Sequence, residues 1–521
     1  MSVNRRFDRR RRSAEPVPNF DSGMIAEPLL SFGQGHSHVD PKTGLSLYGP
    51  YSLIGQNSPF VKSIAVGIVG PPQMLADAEA WLQACKGILS NDGSQPFLYP
   101  HFPGFNIERP FNCELIFGES LREVIKEQAF KIALIEKDYS KRLKNVIKLY
   151  IQAMQVLKGR DPKPTVILCC IPQEVIDTCT VQEHRFRLRR VKRPKTKVDK
   201  GQFSLFDEAT LGIEEEELGH QNLRRGLKAE AMEVGIPTQL VWPKTLRLSA
   251  PSGGPSQGRT QDIATRAWNF TTALYHKAGG SPWRLADLEP GVCFVGISFY
   301  RELVEDNPHM RTSMAQAFTA AGDGYVLRGD TFEWDERREG RSPHLNRQFA
   351  ASLLRDVIEM YKSQNRQSLP TRLVVHKSSR FSADELAGFQ EACDVIPRTD
   401  LVALGNRGLQ FYRTGDYPPV RGTYVKFGAS DLLLYTAGYI PFLRTYPGPR
   451  VPQPLEVLEH HGDSPWDVVL REILALTKMN WNTADFSCSA PITTAFSRRV
   501  GQILAELPPG AKVLPEYRFY M

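Results

Sequence analysis

NLRRGLKAEAMEVGIPTQLVW, residues 222–242, reads as a helix followed by a short strand, and the pattern around it repeats that alternation. Upstream lie an apolar strand, SIAVGIVG from residue 63, the helical stretches MLADAEAWLQACKGIL and RLKNVIKLYIQAMQVLKG, and a second strand, TVILCCIP. Downstream, a loop rich in Gly, Pro and Ser at 250–258 leads into a long helix, IATRAWNFTTALYHKAGG, that ends at Gly279. Strands alternating with helices of this length predict an α/β layer with a mostly parallel sheet.

The same stretch carries a cluster of cations. Arg224 and Lys228 are four residues apart, so on a helix their side chains share one face and can converge on one anion. Gln239 opens the next strand and adds an amide donor, and Lys277 lies at the end of the long helix. Three cations and an amide suit a terminal phosphate held by charge-assisted hydrogen bonds. Arg and Lys at this spacing also decorate ordinary solvated helices, and a lysine near a helix C-terminus has a macrodipole explanation of its own.

SPWRL and ADLEPG mark a boundary near residue 288. Beyond it, VCFVGISFY and YVLRGDTFEW read as strands that can be neighbours in one sheet, then the helix FAASLLRDVIEMYKSQ and the strand RLVVHKSSRF. Further strands are expected at LVALG, LQFYRT, GTYVKFG and DLLLYTAG, and closing helices at DVVLREILALTK and TTAFSRRVGQIL. This order suits a mixed-sheet fold of the ribonuclease H kind.

At 521 residues the chain is long enough for two large domains, each with a sizeable core. Its net charge of +8 favours polyanion binding only modestly. Eight scattered cysteines without a CxxC pair fit reduced thiols in a cytoplasmic setting, and neither a disulfide framework nor a zinc site. No apolar run is long enough to span a membrane, and the start, MSVNRRFDRRRR, lacks the apolar core of a secretory signal. Residues 1–60 read as a basic lead-in or linker, flexible or lobe-spanning, and 183–219 as a charged insertion with a basic half and an acidic half.

NLRRGLKAEAMEVGIPTQLVW followed by ATRAWNFTTALYHKAGGSPWRL resembles the MID domain of prokaryotic Argonautes, with the helix, the TQ step and the KAGG helix end in the family's order. Through GVCFVGISFYRE, RLVVHKSSRF and LALTKMNWNTADF the resemblance continues into a PIWI domain. It covers roughly residues 60–521 and implies a two-lobed α/β chain: a Rossmann-like MID domain at 61–287, then a ribonuclease-H-like PIWI domain at 288–521. The form it resembles is the short prokaryotic Argonaute, without N-terminal and PAZ domains.

On that resemblance Arg224, Lys228, Gln239 and Lys277 match the positions that bind the 5′-phosphate of a guide strand, with His220 one turn earlier as an auxiliary contact or a helix-start residue. It also implies a divalent ion such as Mg2+ in the pocket, ligated by the C-terminal carboxylate of Met521. A ribonuclease-H-type site needs clustered carboxylates to hold two metals. Its positions fall here on Ser298, Ser378 and Arg498, so no cleavage is expected. A hydroxyl is a poor Mg2+ ligand without acidic neighbours, and a guanidinium repels the metal. Arg301, Lys377, Arg380, Arg407, Arg413, Lys426 and Arg498 are candidates for a basic duplex channel.

The implied function is a small 5′-phosphorylated RNA guide used to recognise complementary plasmid or phage DNA. Recognition would activate an APAZ-containing effector, a Sir2-like or TIR NADase or a nuclease, in a heterodimer that can assemble further. The alternatives are a guided nuclease with a rearranged acid set, drawing on Glu302 or Asp330, and a nucleic-acid-binding protein that uses no guide.

Overall fold

The computed structural model describes residues 20–52, 60–91, 95–108, 110–179, 221–248, 261–301, 310–319, 324–334, 339–340, 342–405, 408–409, 411, 418–427, 431–448, 451–507 and 512–521. The insertion at 183–219, the loop at 250–258, His220 and Glu302 lie outside the described residues.

The first lobe is built on a parallel sheet. Strand β4 (Ser63–Gly70) pairs with β5 (Glu114–Ile116), β6 (Arg122–Val124) and β7 (Val166–Cys170), and β7 pairs with β8 (Thr238–Val241). All five residues of β7 are buried, as a strand covered on both faces must be. Helix α2 (Pro72–Cys85) buries Met74, Leu75, Ala78, Trp81 and Leu82 in the core of one face. Helices α3 (Glu127–Ile135), α4 (Tyr139–Lys158) and α5 (Gln221–Ala231) share the core of the other. Helix α6 (Ile263–Lys277) starts at Asp262, whose carboxylate accepts from Thr265 N at 2.9 Å, and stops where Gly279 takes φ +98.

The second lobe is a nine-stranded mixed sheet. Its strands are β10 (Val292–Arg301), β11 (Met310–Thr319), β12 (Gly324–Arg328), β13 (Arg372–Lys377), β14 (Thr399–Gly405), β15 (Thr423–Phe427), β16 (Asp431–Leu434), β17 (Leu455–Gly462) and the N-terminal β1 (Phe20–Met24). They lie in the order β1-β15-β16-β17-β14-β13-β10-β11-β12, with β10, β13 and β14 parallel at the centre. The expected adjacency of VCFVGISFY and YVLRGDTFEW is corrected: MRTSMAQAFT, β11, lies between them. It hydrogen-bonds antiparallel to both neighbours, so a strand poor in β-branched aliphatics is held by its two ladders. Helices α7 (Arg347–Gln364) and α8 (Ala383–Cys393) cover one face of β10 and β13, α9 (Trp466–Leu476) packs on β14, β16 and β17, and α10 (Ile492–Leu504) lies across β10.

The lead-in belongs to both lobes from residue 20 onward. Phe20–Met24 pairs with β15 at the edge of the nine-stranded sheet. Leu30–Ser31 (β2) pairs with Ser37–His38 (β3) and with Arg284–Leu285 (β9), and α1 (Pro41–Tyr48) follows. One continuous apolar core then runs from Leu30, Phe32 and Trp81 through Trp268 and Trp283 to Phe294, Trp481, Phe496 and Met521.

Buried charge fastens this arrangement at three points. Glu27 binds Arg421 Nε at 2.9 Å and Lys478 Nζ at 2.8 Å, and both cationic side chains are fully enclosed. Burial would raise the Glu27 carboxyl, but the two cations hold it below its usual range. Arg372 joins Asp400 at 2.6 Å and Glu472 at 2.5 Å, while Lys377 reaches both oxygens of Glu385 at 2.6 Å. Glu27→Ala leaves two buried cations without a carboxylate, and is expected to cost roughly 3–5 kcal/mol. Urea denaturation of the full chain should show that loss as a lower midpoint, and an unchanged midpoint would refute the clamp.

Candidate phosphate-binding site

Helix α5, strand β8 and the end of helix α6 meet at one place. The separation between Gln239 and Lys277 closes in space: Lys277 Nζ donates to Gln239 Oε1 at 3.2 Å. Lys228 Nζ, from α5, donates to the carbonyl of Thr238 at 3.2 Å. Thus two of the four expected residues, Lys228 and Lys277, contact adjoining positions of β8, and a third, Gln239, is one of those positions. Arg224 stands one turn before Lys228, close enough for its charge to act on both lysines.

Both lysines are buried, 2% exposed for Lys228 and 3% for Lys277. Among the described residues their hydrogen-bond partners are neutral oxygens, and no carboxylate is seen to act on either one. Burial pushes Lys228 down to about 7, with Arg224 repelling it further and Cys169 acting weakly the other way. Lys277 is driven well below its usual value by burial first, then by Lys228 and Arg224. Burying an ammonium without an anion is unfavourable, so the arrangement is tuned for something other than stability.

The adjacent groups supply no counter-charge. Cys169, on β7, is pushed up to about 12 by burial and stays a thiol. His276 precedes Lys277; burial lowers it to about 3, and its Nδ1 donates to the carbonyl of Gly280 at 3.1 Å. Its ring lies 4.4 Å from that of Trp481 and 6.2 Å from Tyr517, both in the second lobe. The C-terminal tail comes back to this helix end: Tyr517 is buried, a Cβ at Gly279 would meet Arg518, and Met521 is 2% exposed in the shared core. These contacts, across more than 200 residues, had no signal in the sequence beyond the aromatic character of the tail.

In the second lobe, β10 and β13 run parallel with Ile297 opposite Lys377, so Ser298 and Ser378 follow side by side. The Ser298 hydroxyl is enclosed and makes no hydrogen bond to a described residue, Ser378 is exposed, and Arg498 is exposed on α10. Asp330 lies beyond β12, two strands away from β10, and Asp356 of α7 is raised by its burial, with the charge of Asp330 adding to the effect. Among the described residues no group of three His, Cys, Asp or Glu side chains could hold a metal.

The basic-channel expectation is corrected at Lys377. It is 1% exposed, and its ammonium is committed to Glu385, with His344 at 3.1 Å and aromatic rings of Phe299 and Phe381 on either side. A strand-end lysine faces inward here because the strand is covered by α8, whose capping box at Ser382 and Glu385 presents the carboxylate. Arg380 is exposed but pairs with Glu459 at 2.9 Å. Lys426 is half-buried on β15; the Arg301 side chain, Arg407 and Arg413 lie outside the described residues.

No protein-family model matches the chain. The Argonaute protein of Aquifex aeolicus is 21% identical over 285 residues, 53% of this chain and 35% of that protein. Clostridium butyricum Argonaute, solved with a guide DNA and a 19-mer target DNA, superposes with a TM-score of 0.61 at 16% identity over 94% of this chain. The fold is Argonaute-like. Aquifex aeolicus Argonaute with externally bound siRNA (TM-score 0.53, 14% identity, 96% of this chain) and Drosophila Piwi (0.55, 12%, 96%) share it. The chain spans about half the length of these solved relatives, 54% to 56%. No helix among the described residues is long and apolar enough to cross a membrane.

Removing either buried ammonium should stabilise the empty protein. Lys228→Met and Lys277→Met, each filling the same channel without charge, are expected to raise stability by roughly 1 kcal/mol or more, seen as a higher Tm. A lower Tm would mean that the lysines have counter-charges that support them.

Proposed function

We propose that the first lobe holds the 5′-phosphate of a small RNA guide on Arg224, Lys228, Gln239 and Lys277, and that the second lobe carries the guide–target duplex without cutting it. The observation that carries the reading is the pair of buried lysines with neutral partners, a site that becomes favourable when a dianion enters. Clostridium butyricum Argonaute binds a guide and a target DNA, and the A. aeolicus protein was solved with siRNA. Sequence would be read by base pairing, with the protein contacting backbone and duplex shape.

Three cations around the pocket repel a divalent ion. An Mg2+ there would be held by the Met521 carboxylate and by the phosphates of the guide, and would supply positive charge that offsets their mutual repulsion. In the second lobe Ser298, Ser378 and Arg498 replace the carboxylates that two-metal cleavage needs. The enzymatic step therefore belongs to a partner, an APAZ-containing effector with an NADase or nuclease domain, held as a heterodimer in the cytoplasm and activated when invading plasmid or phage DNA pairs with the guide.

Purification from the native host should bring down a narrow population of short, 5′-phosphorylated RNAs; heterogeneous nucleic acid with mixed 5′ ends would reject guide loading. The loaded chain, given complementary DNA and Mg2+ or Mn2+, should leave the target intact. Divalent-dependent cleavage that disappears in Asp330→Asn would reverse the assignment of the second lobe.

A further inference from the structure

We propose that seating a terminal phosphate in this pocket transfers protons from solution onto Lys228 and Lys277, so that guide loading weakens steeply as the solution becomes alkaline. The inference rests on the phosphate-binding reading above and adds its regulation. Its basis is geometric. Two ammonium groups on α5 and α6 are enclosed to 2% and 3% exposure, and each hydrogen-bonds a single neutral oxygen of adjoining residues on β8.

Among the described residues, the side chains that act on them work against their charge or are too weak to support it. Arg224 from α5 repels both, and they repel each other. Cys169 of β7 and Tyr517 of the C-terminal turn are held in their neutral forms by burial, and His276 is kept neutral at the end of α6 by burial, with Arg518 and Lys277 adding to the effect. Gln239 is uncharged. Lys228 in the empty pocket is lowered to about 7 by burial first, and Lys277 is driven well below its usual value by the same cause.

When the dianion enters, its charge favours both ammonium forms. Each neutral amine then takes one proton from solvent and donates to a phosphate oxygen. The loaded pocket binds more protons than the empty one, so affinity falls as pH rises. For each proton taken up the decline is about tenfold per pH unit. The second ionisation of the phosphate itself, near pH 6, lies below this window. An exposed lysine pair, charged in both states up to about pH 10, would show none of it.

The test uses the full chain and one RNA oligonucleotide prepared with a 5′-phosphate and with a 5′-hydroxyl. Dissociation constants for both are measured from about pH 6.5 to about pH 9.5 at fixed ionic strength. The ratio of hydroxyl to phosphate Kd should be large near neutrality and fall about tenfold or more per unit above it. Lys228→Arg, whose guanidinium keeps its charge, should flatten the decline. Titration calorimetry of the unmodified chain in buffers of different ionisation enthalpy should register net proton uptake, which keeps the test valid if the variant fails to fold. A ratio that stays large but constant, with no buffer dependence, overturns the proton coupling and leaves the phosphate pocket standing. A ratio near one at every pH overturns the pocket and the coupling together.

Discussion

Helix α10 can lie on strand β10 only because residue 296 is glycine. A Cβ there would collide with the carbonyl of Thr493 in the first turn of the helix. The close approach brings Thr493 Oγ1 to 2.8 Å from His376 Nδ1 and seats Gly501 of the next turns against Tyr300. Much follows from that contact. The same helix packs against β11 and against α5, the helix that carries Arg224 and Lys228. A side chain at residue 296 would lift α10 from the sheet and open the core that both lobes share, so the position of the cation pocket depends on a backbone contact made in the other lobe.

That dependence explains how a pocket so unfavourable by itself can persist. Two buried ammonium groups and a neighbouring guanidinium oppose the closing of the first lobe. The opposition is met by burial elsewhere: Trp81, Trp268, Trp283 and Trp481 are all at most 1% exposed, and the last two join the lobes directly, Trp283 Nε1 donating to the carbonyl of Lys478 at 2.9 Å. Fully burying one large apolar side chain contributes roughly 1.5–3 kcal/mol, enough to offset an unsupported charge whose proton can leave. The lysines escape part of the penalty because burial lowers both toward their neutral forms.

The parts legible in the sequence are those set by neighbours along the chain. SIAVGIVG is strand β4 to the residue, and the helix end at Gly279 falls where its positive φ requires. The convergence of Lys277 on Gln239 was legible as residue types, although not as burial. What stayed hidden depends on long-range pairing. Lys377 resembles any strand-end cation until α8 folds over it with Glu385, and the lead-in resembles a tether until Glu27 meets Arg421, 394 residues away. No local pattern encodes a partner at that distance.

On the reading proposed for the second lobe, its scaffold carries no set of metal ligands at the three strand and helix positions. Three parallel strands and α10 still bring residues 298, 378 and 498 to one region, yet two are hydroxyls and one is a cation. Glu385, a buried acid whose lysine partner on β13 directly precedes Ser378, is already saturated. Glu385 takes both its oxygens to Lys377 and also accepts from Leu345 N and Ser382 N. To bind a metal it would have to release a fully buried lysine, leaving an unpaired charge worth roughly 3–5 kcal/mol of stability. Glu385 is thus held in place by the core, and on the proposed reading a metal site here would require carboxylates at the strand ends themselves.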